Sequence, residues 1–515
     1  DKSKIEANSL GFGDGRGIDV GVAGDLTLSN GGQINSLSPS GLGASGNIDI
    51  SAGAVRLIGD GTVDYFFNPS TQISSSTGDL FFGGGAAKGG DISIKTGILE
   101  VGNSAQISSA TFGMGDAGRI EIEASSLRLN AQMVTLAQIT ANTQLIYGGG
   151  RAGDIIIRAD NLTLENGAAI LAATFGTGAA GVIDIETQSM EVLSGAIISA
   201  GTFGSAEGGN VEVTANKLRI DGRDTFFGGP DLITGIQAVT GGSARGGNIN
   251  INAESIEMVH MGTMFTSSLF GEGPGGNIEI QTGSLTLGSG ATIRAAGEAI
   301  GPAGQISINA RGSVTLEGGS SIATSAPMSS GGDIHVSTGA DLRLVDSEIN
   351  AQAGLDGGNI TVSAADLIYL LNSRLTAQAD TTGSGFGNGG NLVIGPSSFL
   401  ILNEGALISK SSLGNGGNIT ILSDYFFQSE SLIDASAPFG LPGTVIVTAP
   451  DVDLSASLIG LPGDLLDAAS ELRPDCAIRL SDGVSSFVVL GRGGLPIQPG
   501  GFLPSGMVPL RHEPK

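Results

Sequence analysis

The chain has no tryptophan, one cysteine and three histidines among its 515 residues, and only 14% of its residues are charged. Each shortage closes a route. A single cysteine, Cys476, forbids an intramolecular disulfide and leaves a thiol that is either inert or pairs with another chain. Three scattered histidines, His260, His335 and His512, supply no zinc spacing, and no Walker loop or nucleophile elbow is present. No apolar run reaches 18 residues, so no membrane-spanning helix is expected. Basic residues are few, 24 against 50 acidic, for a net charge of −26. Such a surface repels nucleic acid and anionic lipid and favours solubility. The first residues do not read as a signal peptide.

What is abundant is glycine, 87 residues, without a collagen period. This suits a chain that turns a corner every few residues. The 40% hydrophobic share fills a narrow continuous core without implying several globular domains.

A strand motif, Gly-Asn/Asp-Ile-x-Ile, recurs fifteen times. Its first apolar residue stands at Ile18, Ile48, Ile92, Ile120, Ile155, Ile183, Val211, Ile249, Ile278, Ile306, Ile334, Ile360, Leu392, Ile419 and Val445. Most steps lie close to 28 residues; four are longer, at 44, 35, 38 and 32. Each unit holds three alternating segments. In the unit from Ile278 these are Ile278-Glu279-Ile280, Leu285-Thr286-Leu287 and Ala291-Thr292-Ile293-Arg294-Ala295. The second begins seven residues after the first, and Leu127, Leu162 and Leu342 are read into the same slot. Ile107, Ile170, Ile198 and Ile349 hold the third slot. Period-two alternation turns one face of each segment inward, and Gly with Asn or Ser between segments supplies tight corners. The fold predicted is all-β: a right-handed parallel β-helix of three strands and about 28 residues per coil. It spans residues 1–460, a rod of roughly 70 Å at about 4.8 Å per rung.

The residue before the marker is Asn47, Asn210, Asn248, Asn277, Asn359, Asn391 or Asn418 in seven units, and Asp91, Asp154 or Asp333 in three. A corner ladder hydrogen-bonded along the stack is expected. Thr174-Phe175-Gly176 and Thr202-Phe203-Gly204 lie one coil apart and Thr111-Phe112-Gly113 shares their slot, which predicts a short aromatic stack.

The long units predict loops that leave the rod, and these are the candidate contact surfaces. Their aromatics are Tyr65, Phe66, Phe67, Phe81, Phe82, Tyr147, Phe226 and Phe227. Exposed aromatics beside Gly or Pro suit a glycan or a protein partner; the plainer reading folds them back onto the coil they leave. Residues 461–515 are expected to form a cap with a Pro-rich tail. Asp464 to Leu472 reads as a short helix and Phe487-Val488-Val489-Leu490 as a capping strand. The start, Ile5 to Gly11, matches the end of a coil, so the chain is expected to be the C-terminal portion of something longer.

No catalytic set, cofactor site or metal site is expected. His335 lies between two inward residues and so faces outward. Asp49, Glu121, Asp184, Glu212 and Glu279 share an outward slot, read as a solvated face with, at most, weak Ca²⁺ binding.

The repeat resembles those of large filamentous-haemagglutinin-like exoproteins of Gram-negative bacteria. The segment Asp475-Cys476-Ala477 to Phe487, then Gly491-Arg492-Gly493-Gly494-Leu495-Pro496, resembles the C-terminal motif of many of them. The resemblance implies two-partner secretion through an outer-membrane pore and an extracellular or cell-surface location. It favours a non-catalytic adhesin or fibre shaft that contacts a host or neighbouring cell surface or its glycans. Two alternatives stand: a filament subunit joined end to end by self-association, and a polysaccharide-active β-helix enzyme.

Overall fold

The computed structural model describes residues 3–61, 70–78, 85–131, 137–144, 148–223, 233–379 and 387–449. The chain divides into two compact units, Asp1–Pro450 and Asp451–Lys515, and every described residue lies in the first. The expected boundary after residue 460, the cap and the C-terminal motif therefore lie outside the described residues.

The described residues contain strands and no helix, stacked in parallel as a β-solenoid. One coil shows how the sequence builds it. Ile155–Glu165 is a single strand bent at Asp160. Ile155, Ile157, Leu162 and Leu164 point inward with no exposure. Asn166 (φ 58°) and Gly167 (φ 83°) then turn the chain through left-handed backbone, which Asn and Gly tolerate best. Ala169–Leu171 is the third strand, with Ile170 fully buried, and a Gly-rich corner returns the chain to Ile183.

Register carries like onto like. Ile155 pairs Ile183, Ile157 pairs Ile185, Leu162 pairs Met190 and Leu164 pairs Val192; Ile170 pairs Ile198. The third segments form one 15-stranded sheet from Lys4–Glu6 to Leu432–Asp434. The first segments ladder from Ile18–Gly21 to Val445–Thr448. Among the described residues no pairing returns from the last rung to the first, so this sheet is an open ladder and not a barrel. The long units do not disturb register: Gln72 pairs Gln33 and Gln106 across the 44-residue step. The strands on either side of the extra residues keep their pairing.

Glycine stands two positions before every marker except Ile18, which has Arg16 there, and it serves closeness rather than backbone freedom. A Cβ on Gly276 would stand 1.7 Å from the Gly247 carbonyl oxygen, and one on Gly304 would stand 1.8 Å from that of Gly276. The corner backbones of successive coils touch there, and no side chain fits between them.

One expectation needs correction. The second segment does not keep one offset throughout. Leu285 pairs Val314 and Val314 pairs Leu342, so in the coils from Ile306 to Leu392 the bend carries one more residue than in those just before; at Ile419, where Phe426 pairs Leu400, it is short again. The strand that is continuous in Ile278–Leu287 separates into Ile306–Ala310 and Val314–Glu317. The extra residue is taken up as a bulge, with Gly312 N–H donating to the Gly283 carbonyl at 2.7 Å.

Candidate functional site

Among the described residues, a concavity lies over the bend between the first and second segments and crosses the coils from Thr96 to Asn216. It is an open groove of about 550 Å³. Small side chains make its floor: Ala124, Ala159, Thr187 and Ala215 are all at least nine-tenths buried. One wall is Glu123, Arg158, Glu186 and Thr214, in register on successive rungs. Ser125, Asp160, Gln188 and Asn216 face it. Arg158 donates to Glu186 at 3.3 Å and lies 3.8 Å from Asp184. Asn216 Nδ2 donates to Gln188 Oε1 at 2.5 Å. Beside this wall, burial pushes the Asp184 carboxyl up; Arg158 opposes the shift and Glu186 adds to it. The groove thus offers a hydrogen-bonding group on either side every ~4.8 Å along a straight line, with carboxylates and one guanidinium among them.

A second cluster sits at the next corner. Asp221 is 5% exposed. It accepts from Arg219 at 2.7 Å, from Arg223 Nε at 3.0 Å and from the Arg223 backbone N–H at 3.1 Å. His260 Nδ1 is 3.1 Å from its Oδ1. Burial alone raises a carboxyl's pKa, but the hydrogen bonds from Arg223 and Arg219 win and hold Asp221 well below the usual range. Both carboxylate oxygens are spent on neighbours, so this cluster is an anchor for the corner rather than an open site. His260 (φ 49°) and Met261 (φ 63°) take the left-handed turn positions above it.

The third corner carries the Asx ladder. Each Oδ1 accepts the backbone N–H of the equivalent residue one coil on. Asn210 takes that of Asn248 at 3.0 Å, Asn248 that of Asn277 at 2.9 Å and Asn277 that of Gln305 at 3.0 Å. Asp333, Asn359, Asn391 and Asn418 repeat it toward Thr444, and Asn47 bonds Asp91. A second ladder, three residues earlier, escapes the sequence reading. Asp14 accepts from Ala44, Asp116 from Arg151, Asp356 from Asn388, Asn388 from Asn415 and Asn415 from Leu441.

This corner also holds exposed apolar side chains that sequence reading caught only in part. Phe175 and Phe203 stack at 5.0 Å and 8°. Phe112 is not their direct neighbour, because the coil of Thr143 and Gln144 intervenes. Leu10, Phe12, Leu42, Met114, Phe270, Ile300, Met328, Leu413, Phe439 and Leu441 are exposed at the same corner but at other positions in it, and the coil of Gly241–Asn248 carries no large apolar residue there. In early coils an acid and a base share this corner, Asp14 with Arg16, Asp116 with Arg119 and Arg151 with Asp154; later corners carry Glu207, Glu272, Asp333 and Asp356 with no base among them.

The contact-loop aromatics Tyr65, Phe66, Phe67, Phe81, Phe82, Tyr147, Phe226 and Phe227 lie outside the described residues, as does Cys476. His335 is exposed between Ser307 and Thr361. The outward acidic residues do not join into a stripe: Asp184 neighbours Glu212, but Ser93 and Ile156 flank Glu121 and Asn250 and Ser307 flank Glu279. Among the described residues no three His, Cys, Asp or Glu side chains group as a metal site. Compared with known proteins, the chain matches no family model, no curated protein and no solved structure.

Proposed function

We propose that the chain is the shaft of an extracellular or cell-surface structural protein, a non-catalytic adhesin or fibre. The observation that carries this reading is the continuity of the stack. Fourteen first-segment rungs, from Ile18 to Ile419, bury their leading residue in one core, and one or both Asx ladders reinforce much of the third corner. Such a solenoid resists bending and presents a long surface instead of one deep pocket. The polar groove is the face this reading assigns to contact with a cell-surface glycan. The haemagglutinin-like resemblance supports the location and the export through an outer-membrane pore.

The test is cell or glycan-array binding by the purified chain, compared with a Glu123→Ala, Glu186→Ala, Gln188→Ala variant. Retained rod shape with lost binding supports the reading. Binding unchanged by the variant removes the groove from it, and no binding to any surface leaves only the shaft.

A second reading, a polysaccharide-active enzyme, draws on the same groove. Glu123 and Glu186 stand two rungs apart, a backbone separation of about 10 Å, near the range that two-carboxylate hydrolysis uses. Release of reducing ends from a polysaccharide, abolished by Glu186→Gln, would establish it in place of the first.

A further inference from the structure

We propose that the groove over the bend takes an uncharged, unbranched polysaccharide that runs along the rod, and that the Asp160 carboxylate is its anchor. This rests on the reading of the groove as a glycan-contact face and goes further, to the class of glycan and the residue that selects it. Four observations carry it.

The first is charge. The carboxylates of the wall are already neutralised: Glu123 pairs with Lys95 at 3.1 Å and Glu186 with Arg158 at 3.3 Å. Around them lies a chain of net charge −26, which repels a polyanion such as a uronic-acid polymer. A polycation would settle on acidic surface anywhere along the rod and has no need of a groove. An uncharged chain gains nothing elsewhere and finds its donors and acceptors here.

The second is spare hydrogen-bonding capacity. Asp160 is exposed on the side opposite Arg158. Among the described residues its carboxylate has neither an ion pair nor a hydrogen bond; the Thr187 hydroxyl donates to its backbone carbonyl instead, at 3.1 Å. An ionised carboxylate accepts from two hydroxyls at once, and adjacent hydroxyls on one sugar ring supply such a pair. Beyond it, Asn216 and Gln188 are joined at 2.5 Å, which leaves the Gln188 Nε2 donors and the Asn216 Oδ1 acceptor for further hydroxyls.

The third is shape. The methyl groups of Ala124, Ala159 and Ala215 make a flat apolar floor, a seat for the C–H faces of sugar rings. Polar groups line both sides, where the equatorial hydroxyls of an extended chain emerge. Those groups recur every ~4.8 Å, and a chain of equatorially linked pyranoses advances by close to one rung per residue.

The fourth sets a peptide aside. An extended peptide binds by adding to an exposed sheet edge. Here the strand backbones are spent on the rungs to either side, so only side chains face the groove.

The experiment is calorimetric titration of the full chain with neutral β-1,4-linked oligosaccharides of glucose, mannose and N-acetylglucosamine, from disaccharide to octasaccharide. Uronic-acid oligosaccharides of the same lengths are titrated beside them. A neutral series should bind, tightening until about five residues span the rungs from Thr96 to Asn216 and levelling beyond. Its affinity should not change with salt. Asp160→Ala should weaken binding at least tenfold. Asp366→Ala, which removes an exposed acid at a bend outside the groove, should leave it unchanged. A uronic-acid series that binds as tightly overturns the proposal, as does affinity that ignores chain length or is indifferent to Asp160→Ala. If only uronic-acid chains bind, and the Glu123→Ala, Glu186→Ala, Gln188→Ala variant loses them, the glycan face stands while this inference falls. If no oligosaccharide binds, or an extended peptide takes the groove instead, both fall together.

Discussion

The coils between Ile48 and Leu287 and those between Ile306 and Leu422 share one core and wear different surfaces. In the first region the bend is short, the strand is continuous and eleven residues long in most coils, and the floor of the bend is small. The groove lies there. In the second region one more residue enters the bend as far as the coil of Leu392, the strand splits, and the exposed Arg311 reaches back to Glu254 at 2.5 Å. The outward second-segment face changes as well. Arg56, Arg128 and Arg219 pair with Asp25, Glu165 and Glu257 in the first region. In the second, Arg343 still pairs with Asp341 in that slot, and the face then becomes Tyr369, Ile401 and Phe427, beside the stacked pair Phe399 and Tyr425 at 5.2 Å. Inward slots are bound by the stack, because each side chain packs on its equivalents above and below. Outward slots and bend lengths answer to no such constraint, so one inserted residue changes what the rod displays without touching what holds it together.

The corner glycines should show the largest effect, and the same one in both regions. Gly276→Val and Gly332→Val each put a Cβ about 1.7 Å from a carbonyl oxygen. Each should cost more than about 3 kcal/mol and lower the midpoint of thermal unfolding followed by circular dichroism. A tolerated substitution in either region would show that the corners there are not in contact.

Next come the core slots. Ile185→Ala and Ile308→Ala both remove fully buried side chains and should each cost about 2–5 kcal/mol in denaturant titration. Their near equality is the point: a difference of several kcal/mol would mean that the split bend weakens the core.

Asp221 belongs to the first region only. Asp221→Asn removes the charge and one of the two acceptor oxygens shared by Arg219, Arg223 and His260 and should cost about 1–3 kcal/mol, reduced from the figure for fully buried pairs because Arg223 is half exposed. The sign follows from its depressed carboxyl. The wild-type contribution is fully present above the unfolded carboxylate value near ~4 and is lost as pH falls through the lower folded value. The wild-type advantage over Asp221→Asn should hold at neutral pH and shrink only below about pH 4; an advantage that vanishes between pH 5 and 7 would contradict this assignment.

The smallest effect is at Met261, 70% exposed at φ 63°. Met261→Gly should stabilise by about 1 kcal/mol through relief of left-handed strain, read as a small rise in melting temperature.

The repeat was legible because each coil restates it: Ile120, Ile155 and Ile183 stand in the same context, and an alternating Ile-x-Ile has one inward face. The Asx ladder before the marker was legible for the same reason. The second ladder was not, because Asp14, Asp116 and Asp356 appear in a minority of coils inside Gly-rich corners whose lengths vary. The groove was hidden because its floor, Ala124, Ala159 and Ala215, reads as filler until the strand is seen to bend over it. Asp221 and His260 are 39 residues apart across a long unit, and no local spacing joins them. The bend change at Ile306 was overlooked because an offset of eight still places Leu342 among leucines of the same pattern.

The central claim is that one core runs unbroken through both regions. Hydrogen–deuterium exchange followed by mass spectrometry tests it most directly. The account predicts that peptides carrying Ile155–Glu165, Ile249–Val259, Ile334–Thr338 and Ile360–Ala364 exchange in one slow class, with faster exchange confined to the terminal coils and the corners. Exchange that is uniformly fast from Ile306 onward, beside slow exchange before it, would contradict the account, because it would make the split bend the boundary between two separately stable rods.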